Sequence, residues 1–378
     1  MILRKNIDYY IAFLLFVFSS CFTANVSKIS PIYISIGLIF ILFGGIIYSI
    51  LSKKLNGRNI KIMNYVIFIM CFFAIQMFVS DSFTFLVDYG LIIISYFYLF
   101  LGLLFFSEID FFNLKKIINC YYLIASFLLV LDFIYRFINR DSAYEGLMFF
   151  YNFKLNGIMF KDSNFSGFVA LINFAFAIYL KNRKLIHFSK IKLFFYFILI
   201  LINLSRAAIL AGVFVLFYSW FVTRSKKIRL YFFLFVLFFI ILLIPFLFSL
   251  FAEDDSFGTK LDIFTKTWKY IKQINFFQFV FGNGIFTSPN HLGISGHNYF
   301  SQTIIEFGFL IFFLHIGLFI VLCFSSYGKC LYLIIPYLIA GLSMAPLSLP
   351  YFYIMNALII LIEKGEINGI GKCDNAHI

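Results

Sequence analysis

Gly296-His297-Asn298-Tyr299-Phe300-Ser301-Gln302-Thr303-Ile304-Ile305-Glu306-Phe307-Gly308 runs without a break into the apolar stretch Phe309 to Phe324. The first half carries an imidazole, two amides, hydroxyls and a carboxylate. Together the two halves are long enough to cross the ~30 Å hydrocarbon core of a bilayer. A charged side chain in a membrane helix costs roughly 3 kcal/mol on insertion scales, so such groups face protein or a water-filled cleft. The stretch reads as a membrane helix with chemistry at its mouth. It places the chain among all-α, polytopic integral membrane proteins.

Composition points the same way. The 378 residues are 63% hydrophobic and 12% charged, with mean hydropathy +0.98, which no ordinary soluble domain shows. Apolar runs between charged breaks predict about twelve transmembrane helices. They fall near 9–26, 32–51, 62–80, 85–106, 117–137, 164–180, 191–204, 206–222, 230–250, 298–324, 330–346 and 347–362. The short runs on either side of Ser205-Arg206 read as a helical hairpin, and Pro336, Pro346 and Pro350 interrupt the last two. The whole chain, 1–378, reads as a single transmembrane domain with outer loops about 138–163 and 251–297. Arg4-Lys5 and the apolar run after them resemble a signal peptide, but the run continues to Val26 and a second span follows, which predicts an uncleaved first helix.

Basic residues set the orientation. With the N-terminus inside, cytoplasmic segments hold Arg4, Lys5, Lys53, Lys54, Arg58, Lys61, Lys115, Lys116, Lys181, Arg183, Lys184, Lys190, Lys192, Arg224, Lys226, Lys227, Arg229, Lys329, Lys364 and Lys372, twenty of the 30 Lys and Arg. This satisfies the positive-inside rule and places both termini in the cytoplasm. The net charge of +13 is then a topology signal, and no nucleic-acid partner is needed to explain it. Neither large outer loop contains a cysteine, and no Cys/His cluster or carboxylate triad points to a metal.

The basic residues left outside oppose the rule: Lys28, Arg136, Arg140, Lys154, Lys161, Arg206, Lys260, Lys266, Lys269 and Lys272. Singly, each can snorkel to lipid headgroups. Grouped about two loops and a hairpin, they suit an anionic ligand such as a lipid-linked phosphate or diphosphate. Arg206 sits in the turn between two short spans, which draws its guanidinium below the interface toward a partner. Asp132 and Arg136, four apart with the acid first, read as a structural helix pair. Arg140, one turn later, is left as a ligand candidate.

Within 251–297, Leu261, Phe264, Trp268 and Ile271 share one helical face, and Asp262, Lys266, Lys269 and Gln273 the other. An amphipathic helix about 260–273 follows, suited to a membrane interface, where it covers a substrate groove or rests on lipid. If Asn298 caps the next helix, Asn298, Gln302 and Glu306 form one stripe, with Glu306 ~12 Å below Asn298. His297 stands before that helix at the water boundary, where an imidazole can exchange protons. His315, farther along, reads as a packing residue near the inner interface.

Four motifs in series resemble the bacterial O-antigen polymerase and O-antigen ligase family. Gly157-Ile158-Met159-Phe160-Lys161-Asp162-Ser163-Asn164 is similar to the family's Gly-x-Phe-x-Asp-Pro-Asn lead into a span. Leu204-Ser205-Arg206-Ala207 resembles its Ser-Arg hairpin, and Lys260 through Trp268 its Arg-x-x-x-Trp helix ahead of a Gly-x-Gly turn, here Gly282-Asn283-Gly284. His297-Asn298 followed by Glu306-Phe307-Gly308 completes the series. The likeness covers about 150–325. Lys260 stands where arginine is common, Ser163 replaces the usual proline, and Ile311 replaces a second glycine.

The resemblance implies a glycosyltransferase of the bacterial cytoplasmic (inner) membrane, an oligosaccharide repeat-unit polymerase acting at the periplasmic face. Its substrates would be undecaprenyl-diphosphate-linked glycans of O-antigen or a related surface polysaccharide. It would need no cofactor and no catalytic metal. Its partners would be the lipid bilayer and, in the same pathway, a flippase and a chain-length regulator. On this reading His297 and Glu306 are the catalytic candidates. Arg206, Arg140, Lys260 and Lys266 are the candidates for holding diphosphate, and Asn298, Gln302 and Asn164 for lining the acceptor site. A ligase transferring glycan to lipid A-core is the near alternative, and a flippase or other transporter the alternative of a different class.

Overall fold

The computed structural model describes residues 2–27, 29–41, 57–79, 85–140, 142, 151–225, 227–229, 231, 255–293 and 298–367. Among these residues the chain is helical, and an isolated backbone bridge between Leu155 and Asp162 stands in place of any sheet. Local chemistry marks several helix starts. The carboxylate of Asp110 accepts from Asn113 N at 2.9 Å, that of Asp162 from Asn164 N at 2.9 Å, and the Ser189 hydroxyl from Lys192 N at 3.2 Å. Each satisfies an amide that the first turn would otherwise leave unpaired.

In chain order the helices are α1 (Ile2–Phe18), α2 (Pro31–Ile41), α3 (Gly57–Val79), α4 (Leu86–Phe105), α5 (Phe111–Ile138), α6 (Ser163–Asn182), α7 (Lys190–Leu201) and α8 (Arg206–Val222). There follow α9 (Asp255–Ile271), α10 (Phe276–Phe281), α11 (Ser288–Leu292), α12 (Tyr299–Ser325), α13 (Leu331–Gly341) and α14 (Pro350–Glu363). By length and composition, five are long and apolar enough to cross a bilayer: α3, α4 with the 3-10 turn after it, α5, α6 and α12. This fits a multi-pass membrane protein. The expected count of about twelve appears only in part, because α1, α8, α13 and α14 are shorter apolar helices. The expected span 230–250, apart from Tyr231, and half of 32–51 lie outside the described residues. The prolines explain the short pair: α13 ends at Gly341, nine residues before Pro350 opens α14.

α6 is the central pillar, 89% of its apolar window being buried against 39% for α3 and for α5. It packs on α7, α8 and α13, while α4 packs on α3 and α14. At the end where α6 stops, Arg183 forks onto Glu363, its Nε donating to Oε1 at 2.6 Å and its Nη2 to Oε2. Tyr179 donates to the same carboxylate at 2.8 Å. Beside them Lys364 Nζ donates to Asn59 at 2.6 Å, tying α14 to α3. The opposite end, where α6 starts, carries Arg206, Asp162 and Lys154. These two ends are called the Arg183 end and the Arg206 end below.

The largest departure from the sequence reading is in α12, which is not one straight span. Gly308 breaks it with φ 78°, ψ 173°. The Tyr299 hydroxyl lies 2.5 Å from His315 Nδ1, and the Phe300 and Phe312 rings are 6.2 Å apart. In a straight helix sixteen residues would separate Tyr299 from His315 by ~24 Å. The segment 299–307 therefore folds back along the part after Gly308. Glu306 thus lies beside the turn at the Arg206 end, and Tyr299 lies deeper, reversing the expected order. His315 is correspondingly not near an interface. It is buried, with Tyr299 on one ring nitrogen and the Tyr353 hydroxyl 2.9 Å from the other.

A reversal inside the bundle strands carbonyls, and the Gly282-Asn283-Gly284 turn fills them. Asn283 N donates to Ile305 O at 3.0 Å and Gly284 N to Glu306 O at 2.9 Å. Gln76 Nε2 of α3 donates to Glu306 O at 2.7 Å and to Phe281 O at 2.6 Å. This close backbone contact requires two glycines. A Cβ on Gly282 would stand 2.4 Å from Glu306 O, and one on Gly308 2.3 Å from Val280 O. Both have backbone angles that L side chains avoid.

Gly308→Ala and Gly282→Ala should each destabilise the fold by more than ~3 kcal/mol, strain and clash adding together. Gly258→Ala, whose Cβ would meet nothing within 4 Å, is the control. Thermal unfolding in detergent reads the difference. Wild-type melting in the Gly308 variant would contradict the reversal.

Candidate functional site

The Arg206 end is organised by a buried ion pair. Asp132 and Arg136 are both fully buried on α5, with Arg136 Nε 3.1 Å from Asp132 Oδ2. The remaining donors of the guanidinium reach outward: Nη1 to Phe153 O at 2.8 Å and Nη2 to Asn203 Oδ1 at 2.6 Å. The other Asp132 oxygen accepts from Met159 N at 2.8 Å, and the Ser163 hydroxyl donates to Asn203 O at 2.7 Å. One pair thus holds the 151–163 loop and the α7–α8 hairpin together. Gly157 and Gly167 leave room for it. A Cβ on Gly157 would stand 2.7 Å from Asp132 Oδ1, and one on Gly167 3.1 Å from Ser205 Cβ. The structural reading of this pair from sequence agrees with these contacts.

On that base sits a cavity of about 350 Å³ lined by Lys154, Asp162, Asn164, Arg206 and Lys260, with Ser205, Tyr151 and Ser343 around them. The loop presents Lys154 beside Asp162 because the chain turns back at Asn156-Gly157. Asn156 has φ 64°, Ser163 N donates to Lys154 O at 2.9 Å, and Leu155 bridges to Asp162. Arg206 is the first residue of α8, exposed after its Ser205 cap. Lys260 comes from α9. Burial and the neighbouring Arg206 charge push the Lys154 ammonium below the usual lysine range, while Asp162 pulls the other way. Three cations about one carboxylate give a concave site suited to an anion.

A second cavity of about 190 Å³ adjoins the first. The two share the 160–165 segment, with Phe160 and Phe165 in one and Asp162 and Asn164 in the other. They also share the 343–349 loop, with Ser343 in the first and Ala345 to Leu349 in the second. Glu306, Gln302 and Asp88 are the polar side chains of charge or amide type that line it, among apolar walls. Glu306 is fully buried and held by neutral donors, Ser288 Oγ at 2.7 Å on one oxygen and Gln302 Nε2 at 3.1 Å on the other. Among the described residues no cation pairs with it. A carboxylate oriented in this way can accept a proton from a hydroxyl brought to it.

The structure thus brings Arg206, Lys260 and Asn164 together, and Glu306 with Gln302 next to them. Arg140, Lys266 and Asn298 lie elsewhere. Arg140 is exposed beyond the end of α5, its guanidinium over the Phe137 ring at 5.9 Å, in an opening with Asn25 and Asn156. Lys266 pairs with Asp262 at 2.7 Å on α9 and is not among the residues lining the cation cavity. The i,i+4 spacing that placed both on one face explains this. Asn298 caps segment 299–307, accepting from Phe300 N at 3.0 Å and Ser301 N at 3.1 Å, and lines neither cavity. His297 lies outside the described residues.

α9 spans Asp255–Ile271 and docks through Ile263, Thr267 and Tyr270. Leu261, Phe264 and Trp268 are exposed, the apolar face expected at an interface. Ser288 was not singled out by the sequence, whereas Lys154 stood among the outer cations and Asp162 in the motif that leads into α6. Lys154 and Asp162 come together across the six residues 156–161, inside the Leu155–Asp162 bridge; nothing in the sequence links Ser288 to a carboxylate eighteen residues later. In sequence comparison, no protein-family model and no curated protein matches the chain.

Arg136→Met, which strands Asp132, should cost about 3–5 kcal/mol, measured by thermal unfolding in detergent. A second test concerns Lys154. Because its pKa is depressed, its charge is lost at lower pH than for an ordinary lysine. Affinity of the cavity for inorganic pyrophosphate, measured by calorimetry, should therefore begin to fall, as pH rises, at a lower pH than that at which an ordinary lysine loses its charge. In Lys154→Arg, which stays charged, that decline should vanish.

Proposed function

We propose that the chain is a membrane glycosyltransferase that polymerises undecaprenyl-diphosphate-linked repeat units, with the Arg206 end facing the periplasm. The observation that carries this reading is the adjacency of two cavities at one end of the bundle. One is cationic, with Arg206, Lys154 and Lys260, and the other holds the buried carboxylate of Glu306. The four-motif resemblance to O-antigen polymerases and ligases supplies the substrate class. The charge distribution supplies the orientation.

In this mechanism the diphosphate of the donor occupies the cation cavity. An acceptor hydroxyl attacks the anomeric carbon and the carbon–oxygen bond to the diphosphate breaks. Glu306 takes the hydroxyl proton, and the cations stabilise the charge that develops on the departing diphosphate. His297, at the start of the same segment, is the alternative proton acceptor. No metal or cofactor enters. The exposed apolar face of α9 rests in the membrane interface beside the cavity, where the polyprenyl tail emerges. A flippase that supplies the donor and a regulator of chain length are the expected pathway partners.

One observation favours a transporter as the second reading. Discontinuous helices are typical of transporters, where freed carbonyls coordinate ions, and α12 is discontinuous at Gly308. Against it, the freed Ile305 and Glu306 carbonyls are occupied by Asn283, Gly284 and Gln76.

Arg206→Ala should lower polymer at least about 100-fold, the usual scale for removing a charge-stabilising donor. The protein should remain in the membrane and single repeat units should persist on the surface. A gel of surface glycan reads the ladder, and a normal ladder would overturn the assignment. Polymer left on the lipid carrier would indicate the ligase instead.

A further inference from the structure

At the Arg183 end, a cleft of about 690 Å³ opens between the end of α8 and the 327–331 turn. Three cations from separate positions line it: Arg224 and Arg229 beyond α8, and Lys329 in the turn. No carboxylate is among its lining residues. The nearest acid acting on Lys329 is Glu363, which already takes the fork of Arg183. Arg229 Nε is buried with no hydrogen-bond partner among the described residues. A buried guanidinium nitrogen left unpaired is costly, so an arginine held this way marks a place for an anion. Burial and the charges of Arg183 and Arg229 also lower the Lys329 pKa, with Glu363 opposing, a crowding of positive charge that an anion relieves.

The surroundings are those of a lipid headgroup zone. Tyr218, Val222 and Leu331 give the cleft an apolar wall toward the bundle. The Arg224 guanidinium stacks over Trp220 at 5.1 Å, and Trp220 is 38% exposed. A half-exposed tryptophan beside arginine is typical of the membrane–water boundary. The charge-rule orientation of the proposed function puts this end at the cytoplasmic leaflet, where basic pockets between helices bind anionic headgroups.

We propose that this cleft holds the phosphate of an anionic phospholipid headgroup, at the end of the bundle opposite the donor cavity. The placement at the cytoplasmic leaflet rests on the functional reading; the binding itself does not, and its test needs neither orientation nor polymerase activity.

Purified protein in mild detergent, with equal amounts of phosphatidylglycerol and phosphatidylcholine added, is examined by native mass spectrometry. The wild type should retain the anionic lipid about tenfold over the zwitterionic one. Arg229→Gln with Lys329→Gln should bring the two near parity. Arg229→Lys with Lys329→Arg, which keeps both charges, should restore preference and shows that the loss is not one of folding. Lys115→Gln with Lys116→Gln, an equal charge loss at exposed positions at the same end, should leave it unchanged. Equal retention of both lipids by the wild type, or an unchanged preference in the Gln pair, would overturn the proposal. So would displacement of the lipid by millimolar inorganic phosphate, which would assign the cleft to the free ion. Loss of the glycan ladder in Arg206→Ala bears on the donor cavity alone, so the two readings fail separately.

Discussion

A backbone amide or carbonyl inside hydrocarbon has to find its partner within the protein. Two irregular segments at the Arg206 end answer that constraint. Where α12 reverses at Gly308, the carbonyls of Ile305 and Glu306 are met by the Asn283 and Gly284 amides and by Gln76. Where the 151–163 loop dips beside α5, the Phe153 carbonyl and the Met159 amide are met by Arg136 and Asp132. Both solutions spend a glycine pair on closeness: Gly282 and Gly308 in the first, Gly157 and Gly167 in the second.

These two knots determine what the end of the bundle presents. The Asp132–Arg136 pair fixes the loop and hairpin that carry Lys154, Asp162 and Arg206. The Gly282–Gly308 contact lifts Glu306 to the turn and brings α11 close enough for Ser288 to hold its carboxylate. The result is a division of labour in charge. Cations gather in one cavity, and in the next sits a carboxylate with no cationic partner among the described residues; in the proposed reaction this would keep the leaving group and the proton acceptor apart. At the other end Arg183 forks onto Glu363, and Arg224, Arg229 and Lys329 line a separate cleft.

Much of the helical frame was legible from apolar runs, since lipid-exposed and buried spans alike are written in Phe, Ile and Leu. The cap at Asn298 was legible from residue type and position. Of the expected Asn298–Gln302–Glu306 stripe, Gln302 does reach Glu306 four residues on, while Asn298 is taken up in capping the segment. Its depth was misread, because hydropathy does not register a reversal made by one glycine at φ 78°. The separation of Arg140 and Lys266 from Arg206 was hidden for a similar reason: each is placed by the rotation of its own helix against distant partners. Ser288 and Gln76 act on Glu306 across eighteen and 230 residues of chain, a link that only the folded packing supplies.

In the proposed function, the cavity of Arg206 and the cavity of Glu306 form a single site for a diphosphate-linked donor. An experimental structure with an undecaprenyl-diphosphate-linked saccharide bound tests it directly. The diphosphate should lie within hydrogen-bond distance of Arg206 and Lys154, with the first sugar directed toward Glu306 and α12 reversed at Gly308. A diphosphate bound elsewhere, or an α12 that runs straight and carries Glu306 away from the 343–349 loop, would contradict it.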